Sequence, residues 1–410
     1  MADFSGLPFM PADILLPSAG FERWSVIACD QFTSEPEYWQ ETAEIVGGSP
    51  SSLHLILPEA SLGKPDTEEH IDKINATMRE YLAQGIFTEY KNSLIYVERT
   101  QTDGRIRRGV VGQIDLAEYD FTPGSAAQIR ATEGTVIERI PPRAAVRRGA
   151  ALELPHVMLL IDDAERSVIE PLFADLITCA PAYDFDLMQG GGHIRGIVIP
   201  EDITEKVAEA LQKLHKKSPD MLFAVGDGNH SLASAKRCYE EEAELLGTCD
   251  IPGRYALVEI VNIYDEALQF EPIHRVISGV EPEAVLEALL AEYPGSYLGD
   301  GIGQQVGFIC DGNGGMITIP DPPATLAVDT LQRFLDKYLP AGGGSIDYIH
   351  DDETAIRLGT APGSMAFLLP AMGKDELFPS IKKDGVLPRK TFSMGHARDK
   401  RYYLEARRIK

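Results

Sequence analysis

Apolar and polar positions along this 410-residue chain switch between two periods. From Glu68 to Gln84, Ile71, Ile74, Met78 and Leu82 recur at the spacing of one helix face, which predicts a helix. Asp202 to Leu214 predicts another. Leu94 to Arg99 and Arg107 to Leu116 read as two strands joined by a turn at Asp103-Gly104. Pro155 to Ile161 predicts a strand, and Tyr255 to Ile263, with Val258, Ile260 and Val261, a central one. Trp24 to Asp30 looks like a strand ending on an acid, and Thr33 to Trp39, with a capping residue, early acids and Pro36, opens a helix. Later, Ile346 to His350 alternates like a strand, Ala366 to Leu369 is a short strand, and Lys374 to Lys382 is helical. Gln189 to His193 and Ala341 to Ser345 read as glycine-rich loops. Strands alternating with helices predict an α/β, mixed α+β fold with mixed sheets and flanking helices. The chain, without internal repeats, reads as one unit over 1–410, with lobes drawn at 1–120, 121–280 and 281–410.

Composition narrows the function. A 44% hydrophobic content is enough for one large or two to three ordinary cores. The net charge of -25 argues against binding nucleic acid or an anionic membrane through a basic field. Cys29, Cys179, Cys238, Cys249 and Cys310 are scattered, odd in number and never in a C-x-x-C pair, so a reducing, cytoplasmic setting is expected. The N-terminus lacks the pattern of a signal peptide, and the apolar runs are too short to span a bilayer.

The richest chemistry lies in Met221 to Lys236. Five apolar residues, Met221 to Val225, predict a strand covered on both faces. Gly226, Asp227 and Gly228 then form a sharp turn, the two glycines supplying conformations that a Cβ resists. A helix opens on Asn229-His230-Ser231, capped by Asn229 or Ser231, and its outward N–H groups suit a phosphate or carboxylate flanked by Asp227 and His230. The loop is neither a Walker loop nor a dinucleotide fingerprint.

A second constellation runs from Arg130 through Thr132 and Glu133 to Arg139, Arg143, Arg147 and Arg148. Such arginines can hold a phosphate, with Glu133 as base or metal ligand; equally, they can be a surface strand and helix start balanced by Glu138 and Glu153. His274-Arg275, His350-Asp351 and His193 combine histidine with charge, and Asp227, His350 and Asp351 are metal-ligand candidates. Asp30 ends an apolar strand, where ligands of open α/β sheets gather. The G-x-S-x-G elbow, the H-E-x-x-H helix and the kinase signatures are absent. Cys29 and Cys238 read as core residues.

Val26 to Ser34, Ile129 to Thr135, Glu153 to His156, Gly226 to Ser231 and Phe270 to Arg275, taken together, resemble the DUF1015 family of uncharacterised bacterial and archaeal proteins over nearly the whole chain. Many relatives read Asp-Gly-His-His-Arg where this chain has Asp227-Gly228-Asn229-His230-Ser231. The loop also resembles that of the ParB/sulfiredoxin-like superfamily, which includes a kinase acting on free serine and in which the loop touches nucleotide phosphates. Ser231 in place of arginine removes one bidentate phosphate contact.

Residues and resemblance together predict a phosphoryl-transfer enzyme that binds ATP or ADP with Mg2+, or a phosphorylated metabolite, and acts on free serine or phosphoserine. His230 and the Gly228 amide would hold phosphate, Arg130 and Arg143 neutralise it, and Glu133 or Asp30 serve as base or magnesium ligand. The alternatives are a nucleotide- or metabolite-gated binding or regulatory protein without chemistry, and a metal-dependent phosphatase built on His230, His274, His350 and Asp351.

Overall fold

A computed structural model describes residues 2–61, 64, 66–135, 137 and 140–410. The chain forms two compact units, Met1–Leu268 with His396–Lys410, and Gln269–Gly395.

The first unit is organised by a ten-stranded mixed sheet. Its longer helices are α1 (Pro36–Val46), α2 (Thr67–Gln84), α3 (Ile140–Arg148), α4 (Glu201–Lys217) and α5 (Asn229–Leu246). Its main strands are β1 (Ile95–Thr100), β2 (Ile106–Asp115), β3 (Ile129–Ala131), β4 (Met158–Ile161), β5 (Tyr183–Asp186), β6 (His193–Val198), β7 (Phe223–Asp227) and β8 (Tyr255–Asn262). They lie in the order β5-β6-β1-β2-β8-β4-β7-β3, with Tyr119–Asp120 beyond β3 and Phe9–Met10 beside β2. The pairs β4/β8 and β7/β3 are parallel, whereas β1/β2, β2/β8 and β4/β7 are antiparallel. The fold is therefore of the mixed α/β class.

Alternation along the strands sorts side chains to two faces. Tyr96, Val110, Val258 and Ile260 join the core that α4 covers with Val207 and Leu211, while Ile95, Val97, Val111 and Leu257 join the core that α2 covers with Ile74 and Met78. Both faces are dry, which is why β8 is an almost unbroken apolar run.

Glu259 is the exception in β8. Its carboxylate, 1% exposed, accepts a 2.7 Å bond from Arg401 Nε, and Arg107 Nε stands 3.7 Å away. Arg401 also donates to Glu405 at 2.7 Å, and Glu405 accepts from the Tyr183 hydroxyl at 2.7 Å. A Cβ at position 109, on the neighbouring strand, would collide with the Glu259 carboxylate, so Gly109 makes its room. Burial pushes the Glu259 carboxyl up, but Arg107 and Arg401 more than offset this and hold it below the ordinary range.

The last residues return to this unit. Tyr402–Tyr403 pairs antiparallel with Val26–Ile27, and Arg407–Arg408 with Leu152–Glu153. The strand expected over Trp24 to Asp30 is limited to Val26–Ile27, because Trp24 ends a short helix over Phe21–Trp24 and Asp30 already lies in a turn. The helix expected after it starts at Pro36.

The second unit holds a six-stranded sheet containing β9 (His274–Ser278), β10 (Gln304–Cys310), β11 (Asn313–Ile319), β12 (Ser345–Ile349) and β13 (Ser364–Leu368). From Tyr297–Leu298 at one edge the order is β11-β10-β13-β9-β12. Its helices are α6 (Pro282–Glu292), α7 (Ala327–Gly342), α8 (Asp352–Gly359) and α9 (Leu377–Asp384). The loops expected at 189–193 and 341–345 are shorter than their composition suggested. Met188–Gly190 is a 3-10 turn and His193 starts β6, while α7 runs to Gly342 and Ser345 starts β12. Among the described residues no helix is long and apolar enough to cross a membrane.

Candidate functional site

Strand β7 delivers Asp227 to the end of the sheet, and the chain turns at once into α5. The turn depends on one glycine. Gly228 is the N-cap of α5, with φ 84°, and no side chain caps the helix. The capping role expected of Asn229 or Ser231 is thus taken by backbone geometry, and both residues lie inside the first turn. Gly226 stays within β7 and is not among the residues of positive φ. Asn229 instead donates to Thr132 Oγ1 at 3.3 Å, and Thr132 donates to the Val225 carbonyl at 2.7 Å, tying the turn to the end of β3. Asp227 Oδ1 accepts the Gly228 N–H at 2.9 Å.

A Cβ on Gly228 would sit 3.0 Å from Val157 Cγ2 and 3.1 Å from its Cα. Gly228→Ala is therefore expected to cost about 1–3 kcal/mol, the range for a non-glycine residue held in a disfavoured conformation. Chemical denaturation would measure it; an unchanged midpoint would show that the turn relaxes freely.

Around this helix start the fold assembles groups distant in sequence. His156 is 4% exposed, and its Nδ1 lies 2.8 Å from the Tyr403 hydroxyl. That hydroxyl oxygen already accepts the Cys29 N–H at 3.2 Å. A buried phenol needs an acceptor for its own proton, and burial keeps Tyr403 protonated, far above the ordinary tyrosine range. The network therefore assigns Nδ1 as acceptor and places the ring hydrogen on Nε2. From there Nε2–H faces the Ser231 hydroxyl at 3.3 Å and Asp30 Oδ2 at 3.8 Å. Lys400 Nζ stands 3.4 Å from Asp227 Oδ2.

Burial acts to raise the Asp30 carboxyl, but the His156 ring, the Gln31 amide at 3.0 Å and the Lys400 ammonium together outweigh it and hold Asp30 below its ordinary value of 3.8. A carboxyl depressed in the folded state stabilises the fold above its unfolded-state pKa, and this contribution is lost as pH falls through the folded value. The stability gap between the wild type and Asp30→Asn should accordingly be full at neutral pH and close below pH 3.8. Paired thermal melts from pH 7 downwards would show it; a constant gap would mean that the carboxylate charge is not what stabilises.

Behind His156 lies a cavity of ≈ 160 Å³. Most of its wall is apolar, from Leu55, Ile56, Met78, Val146, Leu152 and Leu257, and His156, Ser231 and Cys29 form part of it. Arg143, on α3, lines it and is ion-paired with Glu59. Arg147 lines it too, 2.7 Å from Glu153, whose other oxygen accepts from Arg407 at 2.7 Å. Burial first, then the charge of Asp30, pushes the Cys29 thiol up to about 12, so it is no thiolate nucleophile.

The candidates named from sequence fall into separate groups. Ser231 and Arg143 line the cavity, Asp30 faces His156 in its wall, and Asp227 and Gly228 lead into the helix that carries Ser231. Thr132 and Asn229 brace the turn, while His230 sits in the first turn of α5 and Glu133 follows Thr132, half-buried. Arg130 does not come to the loop. Its guanidinium binds the carbonyls of Ala127 at 2.9 Å and Asp220 at 2.7 Å, before the start of β7 and on the order of 20 Å along the strand from Asp227. Nor is its segment a surface strand, because β3 is buried. Arg139 lies outside the described residues.

His274 and Arg275 belong to the second unit and serve its packing. His274 Nε2 is 2.6 Å from Asp352, and its Nδ1 accepts the Leu369 N–H at 3.1 Å. Fully buried Arg275 donates to Gln332 at 3.0 Å and to the Lys390 carbonyl at 2.9 Å. Asp351 caps α8 by accepting the Thr354 N–H at 2.7 Å, and His350 is exposed beside it. The metal set of Asp227, His350 and Asp351 thus spans two units. Among the described residues no group of three or more His, Cys, Asp or Glu could hold a metal ion.

Lys400 and Tyr403 were missed, and His156 was noticed only within a family motif. A lone lysine and a lone tyrosine near the C-terminus carry no local signal; only the pairing of Tyr402–Tyr403 with Val26–Ile27 brings them in.

The fold and this turn define a mixed α/β protein with a glycine-capped helix start at the end of a sheet strand. The chain belongs to the family described as "Protein of unknown function (DUF1015)", whose model matches residues 9–338. Asp30, His156 and the 226–231 turn fall within that match, and Lys400 and Tyr403 beyond it. No curated protein matches the chain. Similar solved structures include a conserved hypothetical protein from Pyrococcus furiosus, 14% identical over 70% of this chain and 90% of that one, at a TM-score of 0.34. A free serine kinase in complex with AMP is 12% identical over 73% of this chain and 91% of its own, at 0.38. SbnI with a C-terminal truncation, from Staphylococcus aureus, is 9% identical over 70% and 82%, also at 0.38. At these TM-scores the likenesses carry no inference about the ligand of this chain.

Proposed function

We propose that the chain is a phosphoryl-transfer enzyme that binds a nucleotide or a phosphorylated metabolite at the start of α5. The observation that carries this is the convergence of two donors, Lys400 Nζ and His156 Nε2–H, on a glycine-capped helix start where Asp30 is kept ionised. A helix start attracts phosphate through its N–H groups and dipole, and Lys400 takes the neutralising part left open by Ser231. Transfer of this kind needs positioning and charge stabilisation more than covalent chemistry. The acceptor hydroxyl oxygen forms the new bond to phosphorus, the bond from that phosphorus to the donor's bridging oxygen breaks, and the hydroxyl proton passes to Asp30. Tyr403 acts through His156, holding its donor hydrogen toward the phosphate. Magnesium is usually held by one or two carboxylates together with phosphate oxygens and water, so Asp227 is the residue that would meet it, and it would supply neutralising charge.

The loop resemblance makes free serine the first acceptor to test. The chain is incubated with ATP or ADP, Mg2+ and serine, phosphoserine is measured, and nucleotide binding is followed by thermal shift. Lys400→Met is expected to weaken ADP binding about tenfold, the loss of one charge-assisted contact. No turnover with any acceptor and no nucleotide-induced shift would sink the proposal. Nucleotide-driven dimerisation without product would favour a binding protein, and metal-dependent phosphate release without nucleotide a phosphatase.

A further inference from the structure

We infer that the cavity behind His156 is the acceptor subsite and takes a compact, mostly apolar molecule of about benzene size bearing one hydroxyl, in preference to a polar amino acid; this rests on the phosphoryl-transfer reading above. Its volume of ≈ 160 Å³ is close to that of apolar cavities of about 150 Å³ that stay dry and bind benzene. Leu55, Ile56, Met78, Val146, Leu152 and Leu257 give it an apolar wall. Its charged lining is ion-paired, Arg143 with Glu59 and Arg147 with Glu153, and among the described residues one buried nitrogen of Arg147, Nη2, has no hydrogen-bond partner. The ammonium of a free amino acid would have to break those pairs or lie against hydrocarbon, and either costs free energy. A hydrocarbon body displaces nothing polar. His156 and Ser231 form part of the wall, and the His156 ring that meets Ser231 also faces Asp30. A ligand with a single hydroxyl can therefore bury its body and present its oxygen to the base and the helix start. The transfer is the one written above, with a nucleoside di- or triphosphate as donor.

Benzyl alcohol and serine are the probes, titrated by calorimetry into the ADP-loaded chain, with phosphate ester formation followed by phosphorus NMR. Benzyl alcohol is expected to bind at least about tenfold more tightly than serine and to be phosphorylated. Ala150→Leu, which adds bulk to the cavity wall, should weaken benzyl alcohol by about tenfold or more while leaving ADP affinity unchanged. The comparison of the two probes in the wild-type chain decides the matter should the variant fail to fold. If ADP binds and serine is preferred, or if Ala150→Leu folds and leaves benzyl alcohol binding intact, the cavity assignment is overturned and phosphoryl transfer stands. If ADP does not bind with or without the alcohol, the reading beneath it falls, and the acceptor role with it.

Discussion

Asp30→Asn is expected to lower the rate of phosphoryl transfer by about 10²–10⁴-fold, the usual contribution of a positioned general base. The change keeps shape and removes only the charge that His156 and Lys400 hold in place. Nucleotide affinity should stay within a few-fold, because a phosphate at the helix start is held by N–H groups, Lys400 and His156 rather than by this carboxylate. Glu133→Ala, measured in parallel, separates the two bases considered from sequence: loss with Glu133 and less than about tenfold loss with Asp30 would move the role one strand away. The depressed pKa adds a pH test. A base whose pKa is lowered from 3.8 leaves the rate without an acid limb near neutrality, whereas a histidine base would give one at pH 6 to 7.

The largest effect on stability is expected at Glu259. Glu259→Ala leaves Arg107 buried without its carboxylate and Arg401 with Glu405 in place of two carboxylates, and removing one partner of a buried pair costs about 3–5 kcal/mol. For a unit of this size that is a fall in melting temperature on the order of 10 °C. Gly109 sharpens the test, because it has no side chain with which to fill the space vacated. A loss below about 1 kcal/mol in denaturant titration would mean that water enters and solvates the arginines. Replacing the whole cluster with apolar residues should cost far less than the single change.

Sequence pattern resolved what is local. The helix at Thr67–Gln84, the strand pair Ile95–Thr100 and Ile106–Asp115, and the buried strand Tyr255–Asn262 all lie where periodicity put them. The strand, turn and helix around Gly228 were equally legible, because five apolar residues followed by glycine and an acid leave few alternatives. What pattern could not resolve is which cation meets which acceptor. Arg130 looked like a phosphate ligand and is consumed by two carbonyls; Arg147 looked like part of a basic cluster and neutralises Glu153. Conversely, the contact that orients His156 joins residues 247 positions apart. Such pairs depend on the path of the whole chain, and nothing within a window of neighbouring residues encodes them.

The return of the last residues to the first unit has a temporal consequence. Lys400, Arg401 and Tyr403 are synthesised only after the whole second unit, yet they supply a donor of the candidate site, the neutralising partner of Glu259 and the anchor of His156. The first 268 residues can begin to collapse during synthesis, but Glu259 stays without Arg401 until the second unit has been made. A chain interrupted anywhere before Lys400 would therefore lack a donor of the candidate site and the charge balance of its core.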